Sequence, residues 1–599
     1  MGTGFSADTP IRVAHFGISS VISLVDDLLL ERIREHYNNL FGFPYKKILR
    51  YEEDGRAKRI TAYLETVREV VDRRMEALKK LSLGGQNDKT KYFEMLPDQI
   101  PLKVKYHQFL RATDAEERAL LERELTDAMR PGSIDVNIMT KLDRINVTKN
   151  GTPLSDEYSD AKAALRGYAN SSLRSSLVLS AGLNQGLFNY MTKFRDFYRD
   201  EMGEIKKKVV LKVSDFRSAF IQGKILAKKG LEVQEFRIES GLNCGGHLFA
   251  SNGYLLPSIL KEFKEKRHQL IEEGRTMVKN FYDSMGWQYP ERAKDEEPIV
   301  TVQGGIGTNG EAQRLMNEYG MNRTGWASPF LLVPEATCVD EPTMQLLVEA
   351  REEDLYMSDV SPLGIPFNNI RNSGSERWTS DRVAWGIPGS PCRKSFLKSN
   401  TEFTDRPICV ASSQYQKAKL AEIEQCDLSD EKKQQLKEQA FVKSCICDHL
   451  GNSALIALGI EKEQNAPQAI CPGPNIAWFN RTYTLREMVD HIYGRGASLV
   501  PEARPHMFAK EIEMYVDYFE RLVRLCTGTR KEIQTLQEFK ANLEQGLDYC
   551  LEIASTEPYD GENLSSIPPV VEKQRSRLQR MNATFESTFL ANVAKAESM

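Results

Sequence analysis

The chain has 599 residues, too many for one ordinary hydrophobic core, so at least two domains, or one large barrel with substantial additions, are expected. Hydrophobic residues make up 41% and charged residues 27%, a globular composition that argues against intrinsic disorder. Lys and Arg total 80 against 84 Asp and Glu, a formal charge of −4, so there is no global field to attract nucleic acid or an anionic membrane, and small molecules are the expected partners. No apolar run reaches the length of a membrane span, and the opening MGTGFSADTPIRVAHFG has neither the basic start nor the apolar stretch of a signal peptide, so a cytoplasmic protein is expected.

In chain order, short apolar runs ending in Gly or Ser predict strands at Val13 to Gly17, Asp135 to Met139, Leu177 to Gly182, Val209 to Val213, Val233 to Ser240, Ile299 to Gly305 and Thr324 to Ser328. Helical segments follow several of them, at Ser218–Lys229, Leu255–Lys266 and Gly310–Tyr319, and strand alternating with helix argues for a parallel sheet. The predicted fold is α/β, a TIM-type (β/α)8 barrel over residues 1–340, with an eighth strand to be found in the region 40–135. That region otherwise reads as charged helix (Ile60–Leu78, Ala115–Met129), a helical insertion at about 30–130. Residues 341–505 read as a loop-rich, Cys-containing accessory region, and 506–599 as a C-terminal helical segment. Met514, Tyr515, Tyr518, Phe519 and Leu522 follow helical spacing and suit either core or the surface of a homodimer.

In a (β/α) barrel the reacting groups gather at the carboxyl ends of the strands, and phosphate is often held by the last two loops. Gln303-Gly304-Gly305-Ile306-Gly307-Thr308 follows an apolar strand and precedes a helix, so its amides and the helix start suit an anion. Gly325-Trp326-Ala327-Ser328 follows the next strand with small residues and a hydroxyl. Tight turns are the alternative for either segment alone. The stretch Glu239-Ser240-Gly241-Leu242-Asn243-Cys244-Gly245-Gly246-His247 also closes a strand, and His247 beyond its Gly-Gly pair is placed to exchange a proton with a substrate, or to hydrogen-bond the loop backbone.

Lys212-Val213-Ser214, Ala219, Lys229-Gly230 and the run Glu239 to His247 resemble the nitronate monooxygenase (2-nitropropane dioxygenase-like) family, which carries Gly-Gly-His at this strand, Gly-Gly-Ile at the next and Gly-Thr-Arg-Phe after that. Gly304-Gly305-Ile306, Gly325 to Phe330, Pro334-Glu335, Asp135-Val136-Asn137-Ile138 and His15-Phe16-Gly17 fall in the family's order. The chain departs from the family in the longer loop before His247 and in Trp326-Ala327. The resemblance implies a flavoprotein oxidoreductase with FMN held by Gly17, Asn137, Gly182, Lys212, Gly246, Gly304, Gly305, Gly325, Trp326 and Ser328, and His247 as the catalytic acid/base. It implies NAD(P)H or the substrate as electron donor and oxygen as acceptor. The related enoyl-acyl carrier protein reductases share the fold, and with that activity the partner would be an acyl carrier protein. A non-redox barrel binding a phosphorylated substrate, or a scaffold without catalysis, would use the same loops.

Six of the ten cysteines (Cys392, Cys409, Cys426, Cys445, Cys447, Cys471) crowd into the accessory region. Thiolates of Cys409, Cys445, Cys447 and Cys471, from loops with Pro, Gly or Asp nearby, could hold an iron–sulfur cluster or zinc; ordinary reduced cysteines are the alternative.

Overall fold

The computed structural model describes residues 3–141, 143–243, 251–526 and 528–585. Seven strands form one curled, wholly parallel sheet in sequential order: β1 (Ser20–Ser23), β2 (Ile134–Ile138), β3 (Ser175–Leu179), β4 (Lys207–Val213), β5 (Val233–Glu239), β6 (Ile299–Gln303) and β7 (Arg323–Gly325). Sequential parallel pairing is the order of a (β/α) barrel, but among the described residues no eighth strand joins β7 to β1. A separate antiparallel pair, β8 (Leu355–Ser358) and β9 (Phe367–Ile370), lies beyond it.

Six of the predicted strands appear within about three residues of their expected bounds. The first does not. Val13 to Gly17 ends a helix, Thr9–Val13, and continues into a 3-10 turn, Ala14–Phe16. Pro10 near the helix start and Gly17 in the left-handed region bound it at φ 80°, and the true β1 is the short Ser-Val-Ile-Ser that follows. The region 40–135 supplies no additional strand before β2. Its elements are the helices Asp27–Phe41, Gly55–Lys79, Asp88–Glu94, Pro101–Arg111 and Ala115–Ala128 between β1 and β2.

The sheet has two unlike faces, because side chains alternate along each strand. Ile22, Val136, Ile138, Leu177, Leu179, Val209, Leu211, Val213, Phe236, Ile238, Val300 and Val302 are all buried in the main core. Helices Asp160–Ala169 and Phe216–Ala227 pack on this side, each buried Leu, Ile or Val contributing roughly 1.5–3 kcal/mol. The register puts Ser23, Asn137, Val178, Val210 and Glu235 in one row on the opposite face, with Lys212, Arg237 and Thr301 in the next, and Glu239 beside Gln303 nearest the carboxyl ends. Parallel strands are ordinarily apolar on both faces, so a buried polar face marks where the fold does something besides pack.

The C-terminal part folds back onto this frame. Helix Met507–Leu525 packs beside Ile567–Phe585, and Arg504 and Glu562 reach the helix Asn309–Asn317 that follows β6.

Candidate functional site

At the carboxyl ends of β4, β5 and β6, Lys212 and Glu239 form an ion pair with Nζ to Oε1 at 2.7 Å. The same oxygen accepts from Gln303 Nε2 at 2.9 Å and from the Asn243 side-chain amide. Burial opposes ionisation of Glu239, but Lys212 and the Gln303 amide more than compensate and hold the carboxyl below its usual range. Two strands away, Asn137 is buried and its Oδ1 has no hydrogen-bond partner among the described residues; Thr301 Oγ1 is in the same condition. A buried acceptor left unpaired costs about 1–3 kcal/mol, and a ligand with an N–H or O–H group would recover it. Deeper on this face Arg237 pairs with Glu235 at 2.7 Å, and Asp135, its carboxyl raised by burial, accepts from Ser133 Oγ and the Ser176 amide.

This edge brings together most of the residues expected there: Asn137, Gly182, Lys212, Gly304, Gly305, Gly325, Trp326 and Ser328 all lie at or just beyond the carboxyl ends of their strands. Gly17 does not. It precedes β1 by three residues, at the amino end of the sheet, where a Cβ would meet the Tyr92 ring at 3.2 Å, so it cannot border a group held at the other end. Gly246, His247 and Cys244 lie outside the described residues.

The turn expected to cradle phosphate is filled by the protein itself. Gly304 and Gly305 have φ of 99° and 82°, and a Cβ on them would lie 2.8 Å from Ser240 Oγ and 2.3 Å from Leu242 Cδ1 respectively. Their glycine character lets the loop after β5 press against the turn. Glu311, in the first turn of the following helix, folds back to accept from the Gly307 amide at 2.7 Å and also takes the Met507 amide and Arg504 Nη1, each at 2.7 Å. A carboxylate of the chain thus occupies an anion position at this helix start. Arg504 further donates to Gly305 O and Asn475 Oδ1, and Asn475 to Ile306 O. Ser328 Oγ accepts from the Gly473 amide at 3.0 Å, and Trp326 stands edge-on to His491, whose Nε2 lies 2.9 Å from Gly307 O. An FMN phosphate does not fit on Gly304, Gly305, Gly325 and Ser328 as they stand here.

Sequence reasoning passed over Glu311, Asn475 and Arg504, and quoted Gln303 and Glu239 without giving either a role. The alternating charges Glu235, Arg237 and Glu239 along a strand that also holds Phe236 and Ile238 were the signal for the last. Glu511 was also missed. It is buried on helix Met507–Leu525, accepts from the Leu256 amide at 2.9 Å, and burial, against the amides of Leu256 and Gly241, raises its carboxyl to about 7. Gly241 and Leu256 bracket the segment that carries His247.

A wide cavity, about 1130 Å³, lies among the C-terminal elements, walled by Tyr356, Leu363, Lys443, Pro474, Lys510 and Arg521. It shares Glu352, Pro474 and Lys510 with a small crevice that touches Leu242 and Gly305, so it adjoins the sheet edge without containing Lys212 or Glu239. The cysteines assemble differently from the expected set. Cys409 packs with Cys392 and Cys447, the Cys445 thiol hydrogen-bonds the Ser390 side chain, and Cys471 sits in a separate cluster with Val360 and Phe367. Among the described residues no three His, Cys, Asp or Glu side chains are arranged to hold a metal ion.

No protein-family model matches the chain, and no curated protein matches it as a relative.

Proposed function

We propose that this protein is an enzyme that binds a small, oxygen-bearing substrate at the carboxyl edge of β2, β4, β5 and β6 and performs proton transfer there. The observation that carries this reading is the buried polar face ending in Lys212, Glu239 and Gln303, in a sheet whose other face is mainly apolar. Lys212 offers a fixed positive charge to an oxygen that becomes negative during reaction, Glu239 and Gln303 hold that ammonium in place, and Asn137 accepts from the substrate's donor. His247, in the segment that follows β5 in the sequence, is the proton carrier in this reading.

A second reading, the FMN-dependent oxidoreductase of nitronate monooxygenase type, is favoured by one observation: the unpaired acceptor of Asn137 at the same edge as Lys212 suits a ring N–H such as a flavin presents. Its phosphate would need a seat other than the Gly304 turn. The flavin would supply the redox chemistry, and the chain's own part would be to orient the ring and move the coupled proton.

The test is a visible absorption spectrum of the full-length protein before and after adding FMN, with turnover of nitronates and of enoyl thioesters with NAD(P)H, in wild type, Lys212→Met and His247→Ala. Proton-transfer chemistry without flavin predicts a featureless spectrum, and carbon-bound hydrogen of a carbonyl or nitro compound exchanging with deuterated water about 100-fold more slowly in either variant. Flavin bands released as FMN on denaturation would replace this reading with the second. A featureless spectrum with no exchange on any compound would remove both.

A further inference from the structure

Cys392 and Cys409 are seventeen positions apart, and two backbone ladders draw their segments together. Ser390 bridges Ser412, with Ser390 N donating to Ala411 O at 2.9 Å and Ser413 N to Ser390 O at 2.8 Å, while Asn400 and Ile408 exchange hydrogen bonds of 3.0 and 2.8 Å. Cys409 lies between these two pins, buried with Leu397 and Ala411, and Cys392 packs against the same cluster. The two thiols hydrogen-bond to each other. Cys392 is partly exposed whereas Cys409 is buried. The Cys392 backbone has φ 52°, a left-handed conformation that side chains other than Gly, Asn and Asp seldom adopt and that concentrates at functional positions. A packing role alone gives no reason for a strained, partly exposed thiol beside a buried partner thiol.

We infer that Cys392 and Cys409 form a thiol–disulfide couple, with Cys392 the attacking thiol and Cys409 the resolving one, and a small-molecule disulfide as the oxidant. The Cys392 thiolate attacks one sulfur of the disulfide RSSR, forming a Cys392–S–S–R mixed disulfide and expelling RS⁻. Cys409, losing its proton, attacks the Cys392 sulfur and expels the second RS⁻. Two protein thiols are oxidised to one disulfide, and RSSR is reduced to two thiols, which take up the two protons. The surroundings favour this order. The Cys409 thiol donates to Cys392, Lys398 and the Ser395 hydroxyl add to the effect, and together they bring Cys392 down to about 6 against the cost of its burial. Cys409 is pushed up by its bond to Cys392 and by burial, and so remains a thiol until the mixed disulfide forms. Cys445 and Cys447 also face the pair; burial raises both, which makes them poor competitors. The couple adjoins the wide cavity, since Leu363 packs in its cluster and Val410, next to Cys409, lines the cavity wall. Oxidation therefore reaches the wall of that cavity.

The experiment equilibrates the full-length protein with glutathione and glutathione disulfide at graded ratios, quenches with iodoacetamide and maps disulfides by peptide mass spectrometry. The expected result is one disulfide joining the Cys392 and Cys409 peptides, forming before any other. Cys409→Ser should accumulate glutathione on Cys392, persisting at least about ten-fold longer than in wild type. The wild-type mapping needs no variant and so stands even if a substitution prevents folding. Three results would overturn the inference: no Cys392–Cys409 disulfide under oxidation, Cys445 or Cys447 pairing first, or purified protein retaining zinc or iron with these thiols unreactive until the metal is removed.

Discussion

Lys212 and Glu239 show how much one contact on a buried face decides. The pair is mostly shielded from water, and each group tolerates burial because the other neutralises it. Replacing Glu239 by Gln leaves the ammonium without its counter-charge, and urea unfolding is expected to show a loss of about 2 kcal/mol. Replacing both, as Lys212→Met with Glu239→Leu, is expected to recover most of that loss, because the second change removes the uncompensated charge. Additive losses in the double variant would mean that solvent already satisfies Lys212 and that the pair is weaker than its geometry implies. In the sequence Lys212 and Asn137 were singled out only through the family resemblance, and neither the Lys212–Glu239 pair nor Asn137's unpaired oxygen was legible, since pairing depends on which strands lie beside each other.

Among the elements, helix Met507–Leu525 bears on the end of the segment after β5, because Glu511 accepts the Leu256 amide there. Its carboxyl is raised to about 7 by burial, so the folded state holds a proton that the unfolded chain releases near 4.5. The resulting stability is fully present below pH 4.5 and is lost as pH rises through 7. Unfolding free energies of wild type and Glu511→Gln should therefore differ in how they depend on pH. From pH 5 to pH 8 the wild type should lose on the order of 2–3 kcal/mol relative to the variant. Parallel pH profiles would show that Glu511 stays protonated, or is solvated, in both states.

For the whole molecule, the contact between the C-terminal part and the sheet carries buried charge within a shared apolar core. Arg504 reaches Glu311, Asn475 and Gly305 at once, while Arg314 and His506 both meet Glu562. Arg504→Met strands the Glu311 carboxylate in a buried setting, and chemical denaturation should report a loss of about 3 kcal/mol or more. Because the same guanidinium holds the Gly304 turn, the variant should also expose that turn to hydrogen exchange. A loss under about 1 kcal/mol would show that the C-terminal part docks mainly through its apolar helices.

The sequence by itself determined the parallel α/β character and six of the seven strands, because apolar β-branched runs ending in Gly or Ser are a local signal read at period two. It misplaced the first strand, where Val13 to Gly17 is as apolar as a strand but follows a helix-starting Pro10, and it sought an eighth strand where the chain is helical. Only the tertiary structure decided the site. Glu311 and Arg504 are 193 residues apart, and no local pattern shows that a carboxylate will take the anion position in the Gly304 turn. Nor does spacing reveal that Cys392, rather than Cys471, joins Cys409, since that choice is made by bridges between distant loops. Secondary structure is written in neighbouring residues, whereas ion pairing and thiol pairing depend on groups that meet only after the chain has folded.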